Sequence, residues 1–122
     1  MNSFSIELTD FEKVSTNKIY SGIHHYKRAK IKQTFLAWFS KYKNEFPKFD
    51  RKVNISMQFR WKTRTLDSSN CSYMAKMIED CMVHYGILTD DTVNYVGVFS
   101  LESVKRKAFE KDNILLTIKE LL

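Results

Sequence analysis

Val53 to Lys62 alternate without a break. Val53, Ile55, Met57, Phe59 and Trp61 fall on one side, and Asn54, Ser56, Gln58, Arg60 and Lys62 on the other. A period of two sends successive side chains to opposite faces of a β-strand. The apolar face must be covered, and the backbone N–H and C=O groups need strand partners. The chain is therefore committed to a sheet with one covered face. The uncovered face carries cations toward one end.

The rest of the chain supplies the partners and the cover. Phe4, Ile6 and Leu8 alternate with Ser3, Ser5 and Glu7, which predicts a first strand. Residues 9–22 are polar, with Thr16, Asn17 and Gly22 as turn formers, and read as a loop. From His24 to Tyr42 the period changes to 3.6. Ile31, Phe35, Trp38, Phe39 and Tyr42 make one apolar stripe, and Pro47 lies beyond the end of this first helix. Cys71, Met74, Met77, Ile78, Cys81, Met82 and Tyr85 form a second helical stripe. Ser68, Ser69 or Asn70 is placed to cap its start, and Gly86 its end. Tyr95 to Leu101 is apolar on both faces and reads as a central strand. Asn113 to Leu121 reads as a last strand. The order strand, helix, strand, helix, strand, strand predicts a two-layer α+β domain. A mixed sheet carries two helices, and one domain spans residues 1–122.

At 122 residues the chain can bury one core. No apolar run approaches the ~20 residues of a membrane helix. The stretch Met1 to Glu7 has neither a basic region nor a long apolar one, so no secretory signal is expected. Cys71 and Cys81 fall on one helix, where ten residues rise about 15 Å. A disulfide needs Cα atoms within about 7 Å. Two unpaired thiols fit a reducing compartment, and the expected location is cytoplasmic.

The net charge is +6 with a pI near 9.3. The cations are blocked together: His24 to Lys32, Arg60 to Arg64, and Lys105 to Lys107. A basic domain of this size suits a polyanion. The acids cluster elsewhere, at Glu79-Asp80 and Asp90-Asp91. An acidic loop around Asp67 precedes the second helix and another, Asp90-Asp91, follows it. On the helix itself, Lys76 and Asp80 stand one turn apart, away from the apolar stripe. Carboxylates are hard oxygen ligands suited to Mg²⁺. Other chemistry is poorly represented. His24, His25 and His84 lack zinc spacing relative to the cysteines, and no Gly-rich phosphate loop or G-x-S-x-G elbow is present. Tyr20, Tyr26 and Trp61 lie among cations, where aromatic rings can stack on exposed bases or serve as half-buried anchors.

Asp67-x-x-Asn70, followed by Lys76, Asp80, Gly86, Leu88 and Asp90-Asp91, resembles the signature of the RusA family of phage and prophage Holliday junction resolvases. A second match is Ser15-Thr16-Asn17-Lys18-Ile19-Tyr20 with His24-His25 and Lys27-Arg28, similar to that family's early Asn-x-x-Tyr loop and basic helix. The resemblance implies a homodimeric, Mg²⁺-dependent endodeoxyribonuclease, with Mn²⁺ as a possible substitute. It would place paired nicks in branched DNA, with no membrane and no small-molecule cofactor involved.

By matching position, Asp67 and Asp91 would be catalytic, metal-binding carboxylates. Lys76 would be a catalytic or phosphate-contacting residue, with Asn70, Asp80 and Asp90 in support. Asn17, Tyr20, Lys27, Arg28, Lys30, Arg60, Lys62 and Arg64 would meet the DNA. The pattern departs at Ser69, where the best-known members carry a second acid. Ser69 can hold a metal-bound water, or Asp80 can turn inward to supply the missing charge. Otherwise the protein binds branched DNA without cutting it. A third reading is a small interaction protein unrelated to DNA.

Overall fold

The computed structural model describes residues 3–22, 25–105, 108 and 110–121. His24 of the first basic block, and Arg106 and Lys107 of the third, lie outside them. The elements in chain order are β1 (Ser3–Thr9), α1 (Thr16–Tyr20), α2 (His25–Phe39), β2 (Val53–Trp61), α3 (Ser72–His84), β3 (Val96–Lys105) and β4 (Asn113–Glu120). Short 3₁₀ turns occupy Lys43–Glu45 and Ser68–Cys71.

The four strands make one mixed sheet in the order β1-β4-β2-β3. β4 is antiparallel to both β1 and β2, while β2 and β3 run parallel across the α3 crossover. This is an α+β two-layer domain. The register lines up the buried members of each period: Leu8 opposite Ile114, and Ile114 opposite Phe59. Val53, Ile55, Met57, Phe59 and Trp61 are all buried, as alternation requires. Phe35 and Phe39 of α2 and Met74, Ile78, Cys81 and Met82 of α3 cover them, with Ile31, Trp38, Tyr42 and Tyr85 packed half-buried at the margin. The opposite face is polar. One row across it carries four hydroxyls, Ser5, Thr117, Ser56 and Ser100, and the first two hydrogen-bond at 3.0 Å.

Two elements differ from expectation. The polar stretch 9–22 contains α1, a five-residue helix whose single buried side chain is Ile19. One buried residue in five has no period, so no pattern announces it. Residues 96–105 form an edge strand and not a central one. Val98 is 58% exposed although its neighbours are apolar on both faces. The inner places belong to β2 and β4, and in β4 Ile114, Leu116 and Ile118 are wholly buried.

Met74 does more than fill space. Its thioether sulfur accepts the Val14 N–H at 3.3 Å, which fastens the segment before α1 onto α3. All of this sets the position of α3, the element that carries the polar groups considered next.

Candidate functional site

α3 is held at both ends. At the C-terminal end Gly86 adopts φ +75°, where a Cβ would be strained. Its N–H donates to Val83 O and the Ile87 N–H to Met82 O, which satisfies the last carbonyls. At the other end no residue of the Asp67–Cys71 turn caps the helix with its own side chain. The cap arrives from α1: the Thr16 hydroxyl accepts the Tyr73 N–H at 3.0 Å and donates to Asn70 O at 3.1 Å. Asn70 in turn accepts the Asn17 N–H on its side-chain oxygen at 3.2 Å. Asn17 and Asn70 thus pin α1 to the start of α3.

The polar face of α3 presents Lys76, Glu79 and Asp80, spaced i, i+3, i+4 and so neighbours in space. The Lys76 ammonium lies 3.2 Å from Glu79 Oε1 and 3.2 Å from Asp80 Oδ1. It lies 2.6 Å from Asp91 Oδ2, brought in by the loop after the helix. Asp90 accepts the Asp91 N–H at 2.8 Å and so steadies that loop. Lys32 of α2 approaches the second oxygen of Asp80 at 4.0 Å. The ligand oxygens of Glu79, Asp80 and Asp91 all fall within 4.8 Å of one another.

The electrostatics follow from that packing. The Lys76 ammonium holds the Asp91 carboxyl below the usual aspartate range. For Lys76, burial favours the neutral amine, but hydrogen bonds to Asp91, Glu79 and Asp80 outweigh it and keep the ammonium charged. Burial pushes Glu79 above the usual glutamate range, with Lys76 opposing. Glu79 is the least exposed of the three acids, at 7%. Three carboxylates around one ammonium leave negative charge uncompensated, and the donor set suits a hard divalent cation. On one side this cleft is walled by Val93, Val96, Phe99 and Leu101.

Asp67 is not one of the three acids whose ligand oxygens gather at Lys76. It lines a second cleft with Lys13, Ser15, Lys18, Arg64 and Asn70. With β2 and β3 parallel, the loop entering α3 and the loop leaving it lie at opposite ends of the crossover. Only the fold-back of the second loop brings Asp91 to Lys76. Ser69, close to Asp67 in the chain, is an exposed member of the 3₁₀ turn whose carbonyl accepts the Ser72 hydroxyl.

The basic residues divide. Lys13 and Lys18 also line a third cleft, together with Lys27, Lys30 and a lone acid, Glu12. The two clefts that share Lys13 and Lys18 form one cation-rich surface from α2 to Arg64. Lys13 is fixed there. Its ammonium donates to the Arg64 carbonyl and sits 4.6 Å above the Trp61 ring. Arg28 lies close enough to Tyr73 to lower its pKa, although burial raises it more. Arg60 points to the uncovered sheet face, where its Nε donates to Gln58 at 2.6 Å. Lys62 lines another cleft, beside Asp10, Glu110 and Asp112. Trp61 is wholly buried, with its indole N–H on Ser103 at 2.8 Å, and cannot stack on a base. Tyr20 and Tyr26 are 75% and 73% exposed.

Sequence reasoning missed Glu79, Lys13 and Lys18 as members of these sites. For Glu79 a signal existed, because Lys76, Glu79 and Asp80 share one helical face. For Lys13 no local pattern does, since its partners lie about fifty residues away. Cys71 and Cys81 are buried free thiols, pushed up to about 11 and about 12 chiefly by that burial. Such thiols are packing groups and not nucleophiles.

Comparison of the sequence with models of known protein families finds no match, and comparison with curated proteins finds none. Among the described residues, no helix is long and apolar enough to cross a membrane.

Proposed function

We propose that this chain is a metal-dependent endodeoxyribonuclease of branched DNA, of the kind its resemblance to RusA-type resolvases implies. The observation that carries the reading is the gathering of Glu79, Asp80 and Asp91 around Lys76, on a helix whose start adjoins a cation-rich surface. Glu79, Asp80 and Asp91 would hold Mg²⁺ or Mn²⁺. A bound ion of that kind lowers the pKa of water and offsets charge on a phosphate. Lys76, released from part of its carboxylate company, is then placed to contact a phosphate oxygen. Lys18, Lys27, Lys30 and Arg64 bind the flanking phosphates and orient the strand. Asp90 positions Asp91. Asp67, on the basic surface, repels phosphate locally and so helps fix the register of the bound strand.

Resolution of a four-way junction needs two cuts, and we propose a homodimer. The exposed edge of β3, with Val98 and Val93 open to solvent, supports a self-pairing surface. The buried thiols support a reducing, cytoplasmic setting.

A second reading is a branched-DNA-binding protein that does not cut. It is favoured by Ser69 in place of an acid and by the separate cleft of Asp67. Incubating a synthetic four-way junction with the protein, with and without Mg²⁺, decides between the two. Paired nicks that need the metal support the nuclease. Salt-dependent binding without nicks in Mg²⁺ or Mn²⁺ supports the silent binder.

A further inference from the structure

Lys62, Thr63 and Arg64 follow β2 and are all exposed. An exposed loop of this kind is ordinarily mobile, but this one is fastened from two sides. Asp112, just before β4, accepts the Lys62 N–H at 2.9 Å and the Thr63 N–H at 3.0 Å on one oxygen. Its other oxygen accepts the Thr63 hydroxyl at 2.5 Å. Lys13, from the segment before α1, donates to the Arg64 carbonyl and lies 3.4 Å from that same Thr63 hydroxyl. Its ammonium also sits 4.6 Å from the centroid of the buried Trp61 ring. Farther along, the Ser103 hydroxyl donates to the Leu66 carbonyl and accepts the Trp61 indole N–H. Asp112, Thr63 and Lys13 thus make one chain of contacts among three segments distant in sequence.

Two cations of the adjoining cleft are used differently. Lys13 turns its ammonium to a carbonyl, a hydroxyl and a ring of the protein itself. Arg64 lines the cleft with Lys18 and Asn70 and makes no ion pair among the described residues. A guanidinium carried on a fixed backbone loses less freedom on meeting a phosphate than one on a loose loop. We propose that Lys13 and Asp112 are positioning residues that fix the backbone of Thr63 and Arg64, so that the Arg64 guanidinium is presented to a DNA phosphate. Lys13 itself makes no phosphate contact. This rests on the DNA-binding reading and separates the cations that meet DNA from one that prepares the surface.

The test measures binding to a synthetic four-way junction by fluorescence anisotropy over a salt series, without added divalent metal. It compares wild type with Arg64→Ala, Lys13→Met, Lys13→Met/Arg64→Ala and Asp112→Ala. Methionine keeps an unbranched stem over Trp61 and removes the ammonium. Arg64→Ala should lower the slope of log affinity against log salt by about 0.9, a loss of about eightfold at about 0.1 M salt. Lys13→Met should cost no more than that, and the double variant should bind as Arg64→Ala does. Asp112→Ala removes a negative charge, which by charge alone would tighten binding to a polyanion, yet it should weaken binding. Should Asp112→Ala fail to fold by circular dichroism, the Lys13 and Arg64 variants decide alone. Losses that multiply, to about sixtyfold with the slope lower by about 1.8 in the double variant, would make Lys13 a phosphate contact. That result overturns the proposal and leaves DNA binding standing. Wild-type affinity in Lys13→Met or in Arg64→Ala, or tighter binding by a folded Asp112→Ala, overturns it as well. Absence of salt-dependent binding in wild type removes the underlying DNA reading and the proposal with it.

Discussion

Two polar regions flank the start of α3, and they are organised in opposite ways. In the acidic group, Lys76 is held by Glu79, Asp80 and Asp91 at once, so its one positive charge is shared among three carboxylates locked together by it. On the basic surface, Lys18, Lys27 and Lys30 share one cleft with a single acid, Glu12. An interlocked cluster is rigid and demanding, and it accepts a new ion only by loosening its own contacts. An under-compensated surface is permissive and attracts any polyanion at long range. Selectivity for chemistry would reside in the first region, and affinity in the second.

That division is open to attack at several points. The largest effect is expected at Asp91. Asp91→Asn should reduce metal-dependent junction nicking on the order of a hundredfold with binding retained, whereas Asp67→Asn, in its separate cleft, should cost less. Equal losses would show that both carboxylates work at one centre on DNA. Next, Lys18→Ala/Lys27→Ala/Lys30→Ala should flatten the slope of log affinity against log salt by up to about 2.7, at about 0.9 per phosphate contact. Arg60→Ala/Lys62→Ala should leave the slope nearly unchanged. A reversed result would move the DNA to the uncovered sheet face.

A smaller effect, on stability, is expected where the two regions are joined. Thr16→Val removes the acceptor for the Tyr73 N–H, and loss of a cap costs about 1 kcal/mol. Urea unfolding should register it, and an unchanged midpoint would mean that α1 does not secure α3.

Smaller still is the contribution of Lys76, which is half-exposed and screened. Lys76→Met should cost about 0.5 kcal/mol at neutral pH, and added Mg²⁺ should stabilise the variant more than wild type. The acid limb gives the sign. Asp91 has a folded pKa below its ordinary 3.8. Its pairing with Lys76 is therefore fully present above that value, and is lost as pH falls through the depressed one. The gap between wild type and Lys76→Met should close in that acid window. A gap that persists would place the stabilisation outside the charge pair.

Both covering stripes and the alternation of β2 can be read directly, because burial imposes a period that the sequence must obey. Gly86 is equally plain, since few residues other than glycine accept its conformation. The site is less transparent. Asp90-Asp91 and Lys76 stand out as charged residues at suggestive spacing. Their meeting depends on a loop doubling back along α3, and nothing local encodes that. α1 escapes notice because tertiary hydrogen bonds from Thr16 and Asn17 sustain it, and not an apolar face of its own. β3 misleads because an apolar run suggests cover on both sides, and the sheet ends there instead.

The sulfur of Met74 carries a lesson about interchangeability. By size and hydropathy, leucine is its natural replacement, and substitution tables treat the two as near synonyms. A branched hydrocarbon has no lone pair, however, and the Val14 N–H would then face carbon. The loss should be about 0.5 kcal/mol, modest because a thioether is a weak acceptor, and a thermal shift on Met74→Leu would read it. Norleucine, which keeps the unbranched shape and drops only the sulfur, should cost the same if the lone pair matters. At this position a core residue speaks to a passing backbone, in a dialect that volume and greasiness do not record.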